Sequence, residues 1–515
     1  MIKSRRVVGM AVLSMALLST ACTTVTRTAL TTRPAGGEPS AGSPGSDAAA
    51  PSDTVASNGS PGAGGQAVTG GSAASAAKTA TGRQAGAATP AGAQSATSPT
   101  GAKKCSTPVK IGISYSSDMG AAVTALSNPT EGSDIQAYAN QLKALYQTMA
   151  DWINANGGLG ADGCPVAIVY HDFHTLGSDG YGGESQAECI DFTEDQHVFA
   201  IIPMAVENRV LITCAAQHHT PVLWEYCGCE YIPDQADFSE YRGYIYSPDG
   251  IAAHRFAPFI PIWKQGGLFG PGSKVGVLIG DDGSGSAQYA ASTWKPQLEA
   301  MGIEPVEFTY TRPQSIADND QTMSQFQSAI LAFKTAGVNQ VLFSVGVEGA
   351  SLFPSAAAAQ NYYPAWGLSS ATNIDTPVLY PDSEQGKVVG ASYYYQDVWS
   401  NEGQLASNPP SDARNTCNGI YKNKTGSLPL SQAYWICDDF FFLRSGLRGT
   451  SFLTPQTLLA GIDGLGAAGQ SSANSYGAEH FSSPAGYDGA KSARAVVWDK
   501  ANQTYNYAGP VQPVP

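Results

Sequence analysis

Val109-Lys110-Ile111-Gly112-Ile113 opens the stretch that decides the fold, and Val166-Ala167-Ile168-Val169-Tyr170 closes it. Between them Ala139, Leu142, Leu145, Met149 and Trp152 recur at the spacing of one helix face. Gly157-Gly158 then ends the helix, as glycine just past a C-terminus does. Both flanking runs are apolar without strict alternation, so they read as strands covered on both faces. Strand, helix, strand of this kind is a parallel pair with the helix as its crossover.

The rhythm continues outward. A helix through Cys189 leads to Val198-Phe199-Ala200-Ile201-Ile202, and another leads to Thr220-Pro221-Val222-Leu223-Trp224. After a break near Pro248 it restarts with Lys274-Val275-Gly276-Val277-Leu278-Ile279 and a helix from Ala287 to Met301. Val306 to Tyr310, a helix from Met323 to Ala336, Gln340 to Val345 and the short Ala365-Trp366-Gly367-Leu368 follow. The stretch from Cys105 to Pro515 is too long for one hydrophobic core. The expected fold is therefore α/β, with two doubly wound parallel-sheet lobes in series.

The other end of the chain reads differently. Lys3, Arg5 and Arg6 precede an apolar run from Val7 to Leu18, too short to span a bilayer comfortably, and Ser19-Thr20-Ala21-Cys22 follows. Residues 1–22 are read as a lipoprotein signal peptide that leaves Cys22 lipidated, although Ser19 stands where an aliphatic residue is usual. Cleavage by ordinary signal peptidase is the competing reading. Residues 23–104 are almost entirely Ala, Gly, Ser, Thr and Pro and read as a disordered linker. Its root-mean-square reach is on the order of 50 Å. The expected location is outside the cell, lipid-anchored to the outer face of the cytoplasmic membrane.

A net charge of −14 argues against a nucleic-acid partner and against docking by a basic patch. Beyond Cys22 there are eight cysteines, an even number that suggests disulfides in an exported chain. Cys105 and Cys164 each precede a strand-like run and would staple neighbouring strands, and Cys417 with Cys437 reads as a local pair. Cys189, Cys214, Cys227 and Cys229 permit three pairings. Cys227-Gly228-Cys229 is too tight for a thioredoxin-type pair and reads as part of two separate bridges.

Several of these segments carry a family resemblance. Ile153-Asn154-Ala155-Asn156-Gly157-Gly158-Leu159-Gly160, the strand ending at His171-Asp172, and Phe199-Ala200-Ile201-Ile202-Pro203 resemble the type I solute-binding proteins of ABC importers, the branched-chain amino-acid-binding group. Lys274 to Asp282 with Gly283-Ser284-Gly285 is similar to that family's opening of its second lobe, and Trp435-Ile436-Cys437-Asp438-Asp439 to its late first-lobe helix. The resemblance implies a two-lobed clamp joined by three crossover segments, with 105–249 plus 394–474 as lobe one and 250–393 plus 475–515 as lobe two. It implies a monomer without cofactor that captures a small solute by lobe closure and presents it to an ABC permease. A tethered sensor or cell-surface interaction protein using the same clamp is the alternative.

In open α/β sheets ligands collect beyond the carboxyl ends of strands. The candidate ligand-binding residues are accordingly Ser116, Ser117 and Asp118; Ala205, Val206, Glu207 and Asn208; Glu225, Tyr226 and Cys227; and, in the second lobe, Ser284, Val345, Val347, Ser369 and Ser370. Tyr115, Tyr226, Tyr246, Trp366, Tyr394 and Tyr395 are candidates for stacking surface, with core packing the competing reading. The resemblance also has departures. Where the family's amino-acid binders hold the ligand carboxylate, this chain has Met204-Ala205-Val206-Glu207, and where they hold the ammonium with an acid it has Ser369. The expected ligand is therefore not a standard α-amino acid but an amide, polyol-like or aromatic metabolite.

Catalytic readings are weaker. Gly367-Leu368-Ser369-Ser370-Ala371 has alanine where a nucleophile elbow needs its last glycine, with no acid and histidine placed to serve it. His171, Asp172, His174 and the pair His218-His219 fix no set of metal ligands by spacing. Neither an enzyme nor a metal site is expected.

Overall fold

The computed structural model describes residues 105, 107–126, 129–203, 209–223, 234–247, 252–281, 286–344, 346–372, 387–394, 410–429, 433–480, 489–499 and 504–514. Cys22 and the signal and linker segments lie outside them.

The first lobe is built on five parallel strands: β1 (Val109–Tyr115), β2 (Val166–Asp172), β3 (Ala200–Ile202), β4 (Val222–Leu223) and β5 (Ile245–Tyr246). Their spatial order is β2-β1-β3-β4-β5. Helices α1 (Met119–Leu126) and α2 (Pro129–Ala155) join β1 to β2, α3 (Gly180–Ile190) leads to β3, α4 (Val210–Gln217) to β4 and α5 (Gln235–Glu240) to β5. Ile111 and Ile113 share one buried face of β1 with the core that takes in Tyr146, Met149 and Ile153 of α2. On the opposite face Gly112 lies against Phe192, where a Cβ would sit 2.8 Å from the ring.

The sequence Ile153 to Gly160 has a mechanical reading. The Asn154 side chain donates to the Val166 carbonyl and accepts from its N–H, tying the end of α2 to the start of β2. Gly157 and Gly158 have φ of 97° and 72°, and a Cβ on Gly158 would meet the Gly163 backbone at 2.5 Å. Cys164, next to β2, is bonded to Cys105, next to β1.

The second lobe repeats the order. Helices α6 (Ala252–Phe256) and α7 (Phe259–Gln265) precede β6 (Val275–Asp281), then α8 (Ser286–Glu299), β7 (Val306–Thr311), α9 (Asn319–Ala336), β8 (Gln340–Phe343), α10 (Val347–Ala358), β9 (Ala365–Ser369) and β10 (Val388–Ser392). These strands lie in the order β7-β6-β8-β9-β10, all parallel. Trp263 and Trp294 are wholly buried, each indole N–H donating to a backbone carbonyl, of Leu368 and Phe256 respectively.

The chain then returns to the first lobe for α11 (Asp412–Thr425), α12 (Ala433–Gly446) and α13 (Pro455–Asp463), whose buried faces join the first core. It crosses back through β11 (Gln470–Ser471) and β12 (Ala478–Glu479) and ends in β13 (Ser492–Asp499), β14 (Thr504–Tyr507) and β15 (Gln512–Pro513). β13 pairs antiparallel with β10, so the second sheet is parallel with an antiparallel edge. That edge is an addition to the purely parallel sheet expected from the sequence.

Three segments thus connect the lobes, and the third is bonded to both others. Gly489 N–H donates to Ser247 C=O, Tyr476 N–H donates to Tyr393 C=O, and Tyr394 bridges Ser475. Cys417–Cys437 ties α11 to α12, and Cys189–Cys214 ties α3 to α4. The last pair corrects the expectation of two bridges from Cys227 and Cys229 into the middle group, since both other members are consumed by each other. Among the described residues no helix is long and apolar enough to cross a membrane.

Candidate functional site

The strand order reverses between β1 and β3, and again between β6 and β8, and in open α/β sheets ligands bind beyond the carboxyl ends of strands at such points. At the first, Ser116 is buried and its hydroxyl is engaged with Asp118 at 2.7 Å and Thr175 at 2.9 Å. Asp118 also accepts the N–H groups of Thr175 and Leu176, which binds the loop after β1 to the loop after β2. Burial alone would raise the Asp118 carboxyl; the Ser116 hydroxyl, the two N–H groups and nearby His174 outweigh it and hold it below the ordinary range. Ser117 is exposed, with its N–H donated to Asp172, which also accepts from Tyr115.

Ala205, Val206, Glu207, Asn208, Glu225, Tyr226, Cys227, Cys229, Ser284, Val345 and Tyr395 lie outside the described residues, as does the side chain of Val347 at the start of α10. Tyr246 is packed in the first core against Phe442, with ring centroids 4.7 Å apart, and Trp366 is stacked on Phe343 in the second. Tyr394, at the second connecting segment, lies beside Trp435 of α12, with ring centroids 5.7 Å apart. Ser369 and Ser370 are buried: Thr372 takes the Ser369 N–H, and the Ser370 hydroxyl accepts the Tyr393 N–H. The histidines are dispersed, His171 on Asp191 at 2.8 Å, His174 beside Glu184 and His219 on Tyr244.

Sequence reasoning passed over a charged pair at the second lobe's strand ends. Arg312, just past β7, donates to Glu348 in the first turn of α10 at 2.7 Å, and the Tyr310 hydroxyl donates to the same oxygen at 3.0 Å. Gly346 permits this, since a Cβ there would lie 2.3 Å from the carboxylate. The partners are 36 residues apart, so no local spacing announces them. The one strand-end acid described in α10 is spent on an arginine rather than left for a ligand.

Glu188 and Asp438 are buried carboxyls on first-lobe helices. Asp438 on α12 faces the third connecting segment and accepts from the Ser472 hydroxyl, Ala473 N–H and Asn474 N–H. Arg414 donates to Ala473 C=O and lies over the Tyr434 ring at 3.6 Å. Burial raises the Asp438 carboxyl to about 6 against the pull of those donors and of Arg414. Glu188 on α3 is wholly buried, and burial raises it to about 8, with the Ser114 hydroxyl opposing and Asp191 reinforcing.

The lobes also meet away from the connecting segments. Tyr181 N–H, beyond the carboxyl end of β2, donates at 3.0 Å to Gln314 C=O, beyond the carboxyl end of β7. Loops beyond the strand ends of both sheets therefore meet.

No protein-family model matches the chain, and no curated protein matches it. Solved structures do. The branched-chain amino acid transporter substrate binding protein LivJ from Streptococcus pneumoniae, in complex with isoleucine, aligns at 13% identity over 79% of this chain and 100% of that one, with a TM-score of 0.54. The fatty acid ABC transporter substrate-binding protein from Thermomonospora curvata aligns at 14% identity over 79% and 92%, TM-score 0.53. A solute binding protein of an ABC transporter from Rhodopseudomonas palustris, in complex with 3,4-dihydroxybenzoic acid, aligns at 15% identity over 79% and 97%, TM-score 0.51. With the repeated strand order, the three connecting segments and the contact between strand-end loops, these likenesses give the chain the two-lobed fold of the type I periplasmic binding proteins of ABC transporters.

Proposed function

We propose that this chain is an extracytoplasmic solute-binding lipoprotein, anchored through Cys22, that captures a small molecule between its lobes without chemistry and delivers it to an ABC permease. The observation that carries the reading is that carboxyl-end loops of both sheets meet, the Tyr181 N–H donating to Gln314 C=O between the lobes. A ligand touching both lobes biases closure by its differential affinity for the closed form. Lobe one is assigned 105–249 with 394–474 and lobe two 250–393 with 475–515. The grouping of the buried cores, with Ala413 to Ala473 in the first and Ala490 to Val514 in the second, supports that division.

The ligand is proposed to be other than a free α-amino acid. Solved proteins of this fold hold solutes as unlike as isoleucine and 3,4-dihydroxybenzoic acid, so the fold leaves ligand class open. Here Ser369 is buried and bonded within its own turn, and Glu348 is neutralised by Arg312, which supports a site without a carboxylate for an ammonium group. Calorimetric titration of the exported chain against a metabolite library tests this. A saturable response to an amide, polyol or aromatic acid is expected; tight leucine or valine binding overturns the ligand class, and no response to any small solute overturns the binding role.

A further inference from the structure

Helix α3 begins without the cap its sequence provides. Asp179 occupies its N-cap, a position where Asp normally accepts an N–H of the first turn. Its φ and ψ of −86° and −1° are not the extended values that geometry needs, and its side chain makes no cap bond. The carboxylate instead receives the Ser178 hydroxyl at 3.2 Å. Elsewhere in the molecule Asp234, Ser411 and Thr454 all cap their own helices by side chain. At α3 the Tyr181 N–H goes to Gln314 C=O in the other lobe.

Both sides of that contact are shaped for it. Gly180 has φ of 66°, and a Cβ would stand 3.1 Å from the Gln314 carbonyl, so a side chain here would press the lobes apart. In the second lobe the Gln314 N–H and the Ser315 hydroxyl both donate to Asp318, bracing the turn that presents the carbonyl. The first N–H groups of a helix have no partner within it and take acceptors from outside. With the lobes together the Tyr181 N–H has Gln314 C=O; the side chain at the N-cap, the ordinary acceptor for that position, is Asp179.

We propose that the start of α3 is a capping switch: Gln314 C=O of the second lobe caps the helix when the lobes are together, and Asp179 takes the cap back when they part. Closing then exchanges one acceptor for another instead of creating a new bond, which keeps the empty clamp near balance and leaves the solute to decide. The inference goes beyond the binding role, because it holds whether the clamp serves transport or sensing.

Hydrogen exchange on the full ligand-free chain, read by mass spectrometry at the peptide carrying the Tyr181 amide, tests it with no solute present. Asp318→Ala, a change confined to the second lobe, is expected to speed exchange there about five- to tenfold, while amides of the β1–β2 ladder keep the unmodified rate. Asp179→Ala removes the competing cap and is expected to slow the same amide by a few-fold. An Asp318→Ala chain with unchanged exchange at Tyr181 overturns the switch, as does faster exchange in Asp179→Ala, which would place the cap on Asp179 in both states. A chain that binds nothing in the solute screen but shows both rate changes would separate failure of the binding role from failure of the switch.

Discussion

Glu188 and Asp438 are both acids on first-lobe helices, both withdrawn from water, and their surroundings differ in kind. Asp438 meets a hydroxyl and two main-chain N–H groups from Ser472, Ala473 and Asn474, with Arg414 alongside. Glu188 faces the Ser114 hydroxyl and the like charge of Asp191. Burial is the leading influence on each, yet one carboxyl rises to about 6 and the other to about 8. Near neutrality Asp438 therefore acts as an anion around which a connecting segment is wrapped, and Glu188 as a neutral acid packed under β1. The difference comes from donors and not from depth, because donors offset the desolvation that depth imposes.

The sharpest way to break the contrast is to delete the anion. Asp438→Ala leaves the Ser472 hydroxyl and the Ala473 N–H without their acceptor, the Asn474 N–H with its Ser472 bond alone, and Arg414 without that nearby negative charge, all buried, and such uncompensated groups cost about 3–5 kcal/mol. Urea unfolding at pH 7 is expected to show a loss of that size. A loss below about 1 kcal/mol would mean that the segment 472–474 does not depend on the carboxylate.

Little of this pairing was legible beforehand. The strand–helix rhythm from Val109 to Leu368 is written in continuous apolar runs and helical spacing, and the structure follows it closely. Ser492–Asp499 adds an antiparallel edge that no helix crossover announces. Asp438 was visible only as part of Trp435 to Asp439, because its donors come from residues 34 to 36 positions later, on a segment with no helical or strand period. Arg312 and Glu348 are separated in the same way. Tyr246 and Trp366, read as candidate stacking surface, fill the cores because strand-end aromatics have an equally good partner on the inner face. For the ligand site, sequence offers the strand ends as an expectation. The contacts between the lobes depend on how two distant loops approach, and only coordinates carry that.

Glu188 provides the next largest effect, through pH. Its folded value lies above its unfolded value, so between about 4.5 and about 8 the folded state holds a proton that the unfolded state releases. Stability from this group is complete below the lower limit and is lost as pH rises through the window, by up to about 1.4 kcal/mol per unit. Glu188→Gln keeps the shape and removes the titration. Relative to that variant, the unmodified chain should lose about 2 kcal/mol more between pH 5.5 and pH 7.5 in denaturant unfolding. Parallel pH profiles for the two chains would show that Glu188 is ionised in the folded state after all.

The smallest change moves Asp438 toward the situation of Glu188. The Ser472 hydroxyl donates to Asp438 and accepts the N–H groups of Asn474 and Ser475, so Ser472→Ala removes one donor from the carboxylate and one acceptor from the turn. A cost of about 1 kcal/mol follows from one such exchange at pH 7. The more telling consequence is in the proton. With one of its donors gone, burial is opposed less, and the Asp438 value should rise from about 6 toward that of Glu188. In a Glu188→Gln background, where the larger titration is silent, the remaining fall in stability should then extend to higher pH in the Ser472→Ala chain than in its parent. If the upper limit stays where it was, Ala473, Asn474 and Arg414 suffice to hold the charge, and the gap between the two carboxyls owes more to those three than to the hydroxyl.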